Sequence, residues 1–195
     1  MSEGTIHNDD LIAELNDLLQ LDHDAVQAYS LAIRALKSNV YRETLIQFRG
    51  DHERHIRELG DLIRARGGTP VNMAHVPTGF FKLAVQALGA VGDDRQVLLA
   101  FKTNEGQVRE KYLRHSDRKH PPEVADVLRR AAADEEKHYA WAAEVLDRLG
   151  AGADTHLGRV QGVVEEAHRR AGDAIESAGR KVMQKVDDLR EGGTR

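Results

Sequence analysis

An all-α four-helix bundle is the fold this sequence predicts, and three observations predict it. Four segments of about 28 residues carry apolar side chains at alternating steps of three and four, the period of a helix face. Gly67–Gly68, Pro121–Pro122 and Gly150 punctuate those segments. The first pair of segments also resembles the second at a constant offset of 83 residues: Leu15 is matched by Leu98, Leu18 by Phe101, Leu45 by Leu128, Leu62 by Val145 and Gly67 by Gly150.

The first helix starts at Asn8 or Asp9, an N-cap type followed by acidic residues that suit the positive end of the helix dipole. Its stripe runs Leu11, Leu15, Leu18, Asp22, Ala25, Tyr29, Ala32, Leu36. The chain turns around Ser38–Asn39. The second helix then runs to Arg66, with the stripe Leu45, Phe48, His52, His55, Leu59, Leu62, and Gly67–Gly68 supplies its C-terminal cap.

A long connection follows from Gly67 to Gly92, with Pro70, Pro77 and a short apolar helix from Gly79 to Val91. Antiparallel neighbours need only a short link, whereas about 26 residues can travel the length of a bundle, so this segment reads as a crossover. The third helix begins at Asp93 or Asp94 and ends before Pro121–Pro122, since a residue preceding proline avoids the α region. Its stripe is Leu98, Phe101, Glu105, Val108, Tyr112, His115. The fourth opens at Pro122–Glu123 and closes at Leu149–Gly150, with the stripe Leu128, Ala131, Glu135, His138, Ala142, Val145, Leu149.

Beyond Gly150 the composition shifts. Residues 154 to 191 lack aromatics and form an amphipathic helical tail with an alanine-rich face. Gly158, Gly162, Gly172 and Gly179 each cost about 1 kcal/mol relative to alanine. The expected organisation is a bundle over residues 1–150 and a tail over 151–195 that docks a partner or aids assembly. The tail lacks the bulky aromatics of a membrane-surface helix.

Composition narrows the function classes. A net charge of −4 with mixed-sign helices argues against nucleic-acid binding. With no cysteine, disulfides, thiolate zinc and iron–sulfur clusters are excluded. No apolar run has the length of a membrane span or the form of a signal peptide, so a cytoplasmic location is expected.

The polar residues inside the apolar stripes carry the chemistry. Asp22, His52, His55, Glu105, Glu135 and His138 all fall at core positions, about 12 to 16 residues from their helix starts, so they converge at mid-height whichever way each helix runs. They obey the same 83-residue offset: Asp22 answers Glu105, His52 answers Glu135, His55 answers His138, and Tyr29 answers Tyr112. A charged group in a bundle core costs several kcal/mol unless it is paired or coordinated. A divalent metal removes that cost by binding carboxylate oxygen and neutral imidazole nitrogen directly. A carboxylate from each of two helices, with a Glu-x-x-His pair from each of the other two, is how dinuclear carboxylate centres are built. The rival reading is a set of buried hydrogen-bonding groups with no metal.

In these residues the chain resembles the ferritin-like superfamily of ferritins, bacterioferritins, rubrerythrins and their small bacterial stress-associated relatives. Asp134-Glu-Glu-Lys-His-Tyr-Ala-Trp141 is similar to the last core helix of bacterioferritin-type proteins. Asp22 followed by Tyr29 resembles the first-helix ligand and its tyrosine, His55 the second-helix histidine, and Glu105 the third-helix ligand. The resemblance covers residues 8 to 150. It implies a non-haem iron protein with two ions where the site is intact, manganese or zinc being the other candidates, that oxidises ferrous iron or reduces peroxide. It implies Asp22, His52, His55, Glu105, Glu135 and His138 as ligands and association into a dimer or larger homo-oligomer. Tyr29 and Tyr112 are then the candidate catalytic residues, against a reading in which they fill the core with hydroxyls on the ligands.

Two positions depart from the dinuclear pattern. Position 52 is histidine where a bridging glutamate is expected, and position 22 is aspartate, one methylene shorter. Three carboxylates against two divalent ions leave one positive charge, which suits mononuclear binding or an altered metal preference. The alternative function is a non-catalytic helical stress-response or assembly module with a degenerate or mononuclear metal site. His115 continues the third stripe and is expected as a cap or core partner; His7, His23, His75, His120, His156 and His168 are expected in solvent.

Overall fold

In the computed structural model, residues 7–72 and 93–151 are described. They form four α-helices and no strands: α1 (Asn8–Ala35), α2 (Asn39–Ala65), α3 (Asp94–Ser116) and α4 (Pro122–Arg148). The expected short helix from Gly79 to Val91 and the C-terminal tail lie outside the described residues.

The helix ends follow local chemistry. Ser38 caps α2 by accepting from the Tyr41 amide, and Asp93 caps α3 by accepting from the Arg95 amide. Pro122 sits in the first turn of α4, where its missing N–H leaves no bond unmade. α1 differs from expectation at its start: the N-cap is His7, and the side chain of Asn8 instead donates to the Arg66 carbonyl at 3.2 Å. Gly67 and Gly150 end α2 and α4 at φ values of 78° and 68°, where a Cβ would meet the following carbonyl. The Gly68 amide then bonds back to Ile63 at 3.0 Å, and the Ala151 amide to Leu146 at 2.8 Å, so both helices close in the same way.

Cross-helix contacts give the directions. Near the start of α1, Glu14 and Asp17 meet His115 and Lys111 near the end of α3, and Tyr29 further along meets Glu105. Arg66 at the end of α2 meets Glu123 at the start of α4. The short 36–38 link makes α1 and α2 antiparallel, and α1 and α3 are antiparallel as well. Hence α2 and α3 point the same way, and the end of α2 and the start of α3 lie at opposite ends of the bundle, the arrangement that calls for a long connection. The Asp94 carboxylate marks the far end, accepting from the Lys37 and Ser38 amides at 2.6 and 2.9 Å.

The interior is layered. Toward the start of α1, Leu11, Leu15, Leu18, Leu59, Ile63, Leu128 and their neighbours form an aliphatic core. Toward its end, Phe48, Phe101 and Trp141 pack edge to face. The polar residues lie between these layers. The stripes shift slightly at two ends: Ile63 and Leu146 are the buried residues, whereas Leu62 and Leu149 are half-buried. Among the described residues no helix is long and apolar enough to cross a membrane.

Candidate metal centre

All six polar stripe residues are brought together. Asp22, His52, Glu105, Glu135 and His138 are 0% exposed and His55 is 1% exposed. α1 contributes Asp22, α3 contributes Glu105, α2 contributes His52 and His55, and α4 contributes Glu135 and His138. One ligand-type atom from each residue lies within 4.8 Å of the others in two overlapping groups. The first is Asp22, His52, His55 and Glu135; the second is His52, Glu105, Glu135 and His138. His52 and Glu135 belong to both.

The two halves exchange contacts as a two-fold relation demands. Tyr29 donates its hydroxyl to Glu105 Oε2 at 3.0 Å, and Tyr112 donates to Asp22 Oδ2. His55 Nε2 lies 3.3 Å from Asp134 Oδ2, and His138 Nε2 lies 3.1 Å from Asp51 Oδ2. Their Nδ1 atoms turn inward: His55 Nδ1 is 3.4 Å from Asp22 Oδ1, and His138 Nδ1 is 3.5 Å from Glu105 Oε2. A carboxylate behind the outer nitrogen holds a proton there, so the inner nitrogen is the one that gives its lone pair to an ion when an ion displaces the inner proton.

Asp51 and Asp134 had no role assigned from periodicity, nor did Arg54, which bridges them by donating Nη1 to Asp51 at 2.8 Å and Nη2 to Asp134. A signal for the two aspartates existed, because Asp51 shifted by 83 residues is Asp134. His120, expected in solvent, instead has a fully buried side chain whose Nε2 lies 3.0 Å from the His115 carbonyl and 3.2 Å from Glu14. His23 is half-buried and His7 exposed, while His75, His156 and His168 lie outside the described residues. His115 is a core partner, with Nδ1 2.5 Å from Glu14 Oε1.

Burial and charge set the protonation of the cluster. Burial pushes Glu135 well above the usual carboxylate range, and the neighbouring Glu105 and Asp22 push it further. Burial would also raise Asp22, but hydrogen bonds from His52 and His55 more than offset it and leave its carboxyl low. For His55 burial opposes charge, yet bonds to Asp134 and Asp22 prevail and raise it to about 9. Tyr29 and Tyr112 are driven well above 10 by burial and then by the adjacent carboxylates, so both hydroxyls keep their protons.

The donor set fits a metal. Both oxygens of Glu135, Oε1 of Glu105 and Nε2 of His52 are buried without a hydrogen-bond partner. Each such group costs about 1–3 kcal/mol if left unmade, and more when charged. The three carboxylate oxygens satisfy no internal network, whereas with the imidazoles grouped beside them they are donors of the kind that a divalent ion takes.

A family model described as a domain of unknown function, DUF2383, matches residues 10–116, more than half of the chain. The chain belongs to this family. No curated protein and no solved structure matches it. The DUF2383 match spans α1 to α3 and therefore includes Asp22, His52, His55 and Glu105. α4, which supplies Glu135 and His138, follows the matched segment, and the 83-residue offset relates its core residues to those of α2.

Proposed function

We propose that this DUF2383 protein is a ferritin-like, non-haem metal protein whose core binds iron between α1, α2, α3 and α4. The single observation that carries this reading is the convergence of Glu105 and Glu135, three of whose buried oxygens have no hydrogen-bond partner, with inward-facing imidazoles at one level of the bundle. Asp22 and His55 would serve one ion, Glu105 and His138 the other, with Glu135 reaching both and His52 completing the set. Iron held there supplies one-electron chemistry toward dioxygen or peroxide, so oxidation of ferrous iron or reduction of peroxide is the activity proposed.

The chain's own residues prepare that centre. Asp51 and Asp134 orient the imidazoles, and Tyr29 and Tyr112 hold Glu105 and Asp22 by one oxygen each. Phe48 stacks on His138 with centroids 4.2 Å apart, and Phe101 meets Tyr29 edge-on at 4.9 Å. These rings exclude bulk water from one side of the site and strengthen every charge interaction in it. A second reading, a non-catalytic stress-response or assembly module with one structural ion, draws on His52 replacing a bridging carboxylate.

Purification without chelator, followed by iron, manganese and zinc analysis, separates these readings. The redox reading expects bound iron and ferrous oxidation under air faster than in buffer alone. Bound metal without accelerated oxidation would favour the structural module, and no retained or added metal would remove both.

A further inference from the structure

We propose that the two halves of the centre are unequal: Asp22, His52, His55 and Glu135 form a four-coordinate site that fills first with one divalent transition-metal ion. Glu105 and His138 hold a second ion much more weakly. The proposal rests on the metal-binding reading above and adds an order of filling and a coordination type.

The first argument is geometric. Asp22 Oδ1 lies 2.9 Å from His52 Nδ1 and 3.4 Å from His55 Nδ1. Glu135 Oε1 lies 3.5 Å and 3.6 Å from the same two nitrogens. Donors placed about 2.0–2.1 Å from an ion at tetrahedral angles are about 3.3–3.4 Å apart. The four distances straddle that edge length, and the set is two imidazole nitrogens with two carboxylate oxygens from three helices.

The tyrosines break the symmetry further. Tyr112 bonds to Asp22 through Oδ2 and leaves Oδ1 to the imidazoles. Tyr29 takes the opposite position in its half, with its hydroxyl 3.0 Å from Glu105 Oε2 and 3.3 Å from His138 Nδ1. An ion taking both of those atoms would have to displace the hydroxyl from between them.

His52 then decides the allocation. A neutral imidazole offers one lone pair; an ion that takes Nδ1 between Asp22 and Glu135 leaves the ring's remaining proton on Nε2, and a protonated nitrogen is no ligand. The second half is left with Glu105, His138 and the far oxygen of Glu135, whose Oε2 is 3.9 Å from His138 Nδ1. Charge points the same way. Asp22 and Glu135 neutralise the first divalent ion, whereas Glu105 alone leaves the second with a net positive charge in a low-dielectric core.

The test is a cobalt(II) titration of the full-length, chelator-treated protein, followed by visible absorption. Four-coordinate cobalt absorbs strongly and six-coordinate cobalt weakly, so coordination type is read without any turnover. The expected result is an intense band that saturates at one equivalent, with a second equivalent binding on the order of 100-fold more weakly, the scale on which lost ligand support changes affinity. Glu105→Gln should leave the first band in place and abolish the second event, whereas His52→Gln should lose the band, with helicity by circular dichroism confirming folding. Should His52→Gln not fold, the wild-type titration and Glu105→Gln decide alone. Two equivalents of equal affinity, a weak six-coordinate spectrum, or equal loss of the first ion in Glu105→Gln would overturn the inequality while leaving the metal reading intact. No bound cobalt would overturn both.

Discussion

Asp51 and Asp134 each face the outer nitrogen of a histidine on the other's helix: Asp51 meets His138 at 3.1 Å, and Asp134 meets His55 at 3.3 Å. The crossed pairing fixes both imidazoles with Nδ1 inward. Asp134→Asn keeps an acceptor of the same shape but removes its charge, so His55 becomes a poorer ligand. The expected outcome is a 10- to 100-fold (order-of-magnitude) loss of metal affinity with the fold retained, measured by chelator competition. Unchanged affinity would show that His55 does not need this partner.

The tyrosine hydroxyls make a stability prediction. Tyr112→Phe strips Asp22 Oδ2 of its donor in a fully buried site, which should cost the metal-free protein about 1–3 kcal/mol. Urea denaturation of the chelator-treated variant checks this, and an unshifted midpoint would contradict the contact. If either tyrosine also takes part in oxidation, its phenylalanine variant should slow ferrous oxidation at unchanged metal content.

The pH dependence of the metal-free protein follows from opposing groups. His55 is raised from 6.5 to about 9 because its bonds to Asp134 and Asp22 outweigh burial. Its charged form therefore contributes stability that is complete below about pH 6.5 and lost as pH rises through about 9, on the order of 3 kcal/mol in all. Glu135 acts in the same direction: burial and the neighbouring carboxylates raise it, so stability falls as pH rises above its ordinary 4.5. Asp22, Asp51 and Asp134 are lowered and act oppositely, losing stability only as pH falls below their ordinary 3.8. The melting temperature without metal should thus fall from about pH 6 to about pH 9, while metal affinity rises because the ion no longer competes with a proton. A flat melting profile across that window would contradict the His55 assignment.

The four helices were legible because their stripes are long and their ends carry glycine, proline or an N-cap side chain. The six clustered residues were legible for a related reason: a carboxylate or imidazole at a core position in an apolar stripe has no cheap explanation. Asp51, Asp134 and Arg54 were not, because they stand one or two positions from ligand candidates, on helix faces that periodicity reads as solvated. Only the pairing of α2 with α4 turns those faces toward each other. His120 was misread for a different reason. It follows α3 in an irregular link, and no periodic rule says that its ring folds beneath Glu14.

His52→Glu tests the residue that departs most from a dinuclear pattern. Glutamate there supplies a fourth negative charge and two oxygens able to span two ions, so the variant should bind two ions more equally and more tightly than wild type. Without metal it adds a buried carboxylate beside Asp22 and Glu135, and like charges at a shared site should lower its melting temperature. Paired titrations and melts read both effects. Equal stoichiometry and affinity in the two proteins would place position 52 outside the coordination sphere.

The most direct measurement is anomalous X-ray scattering from crystals of the full-length protein grown with cobalt(II) or iron(II). An anomalous peak is expected at mid-height in the bundle, about 2.0–2.2 Å from His52 Nδ1 and His55 Nδ1 and from Asp22 and Glu135 oxygens. Peaks confined to surface carboxylates, or none near α1–α4 mid-height at saturating metal, would show that these buried groups are a hydrogen-bonded core and not a metal centre.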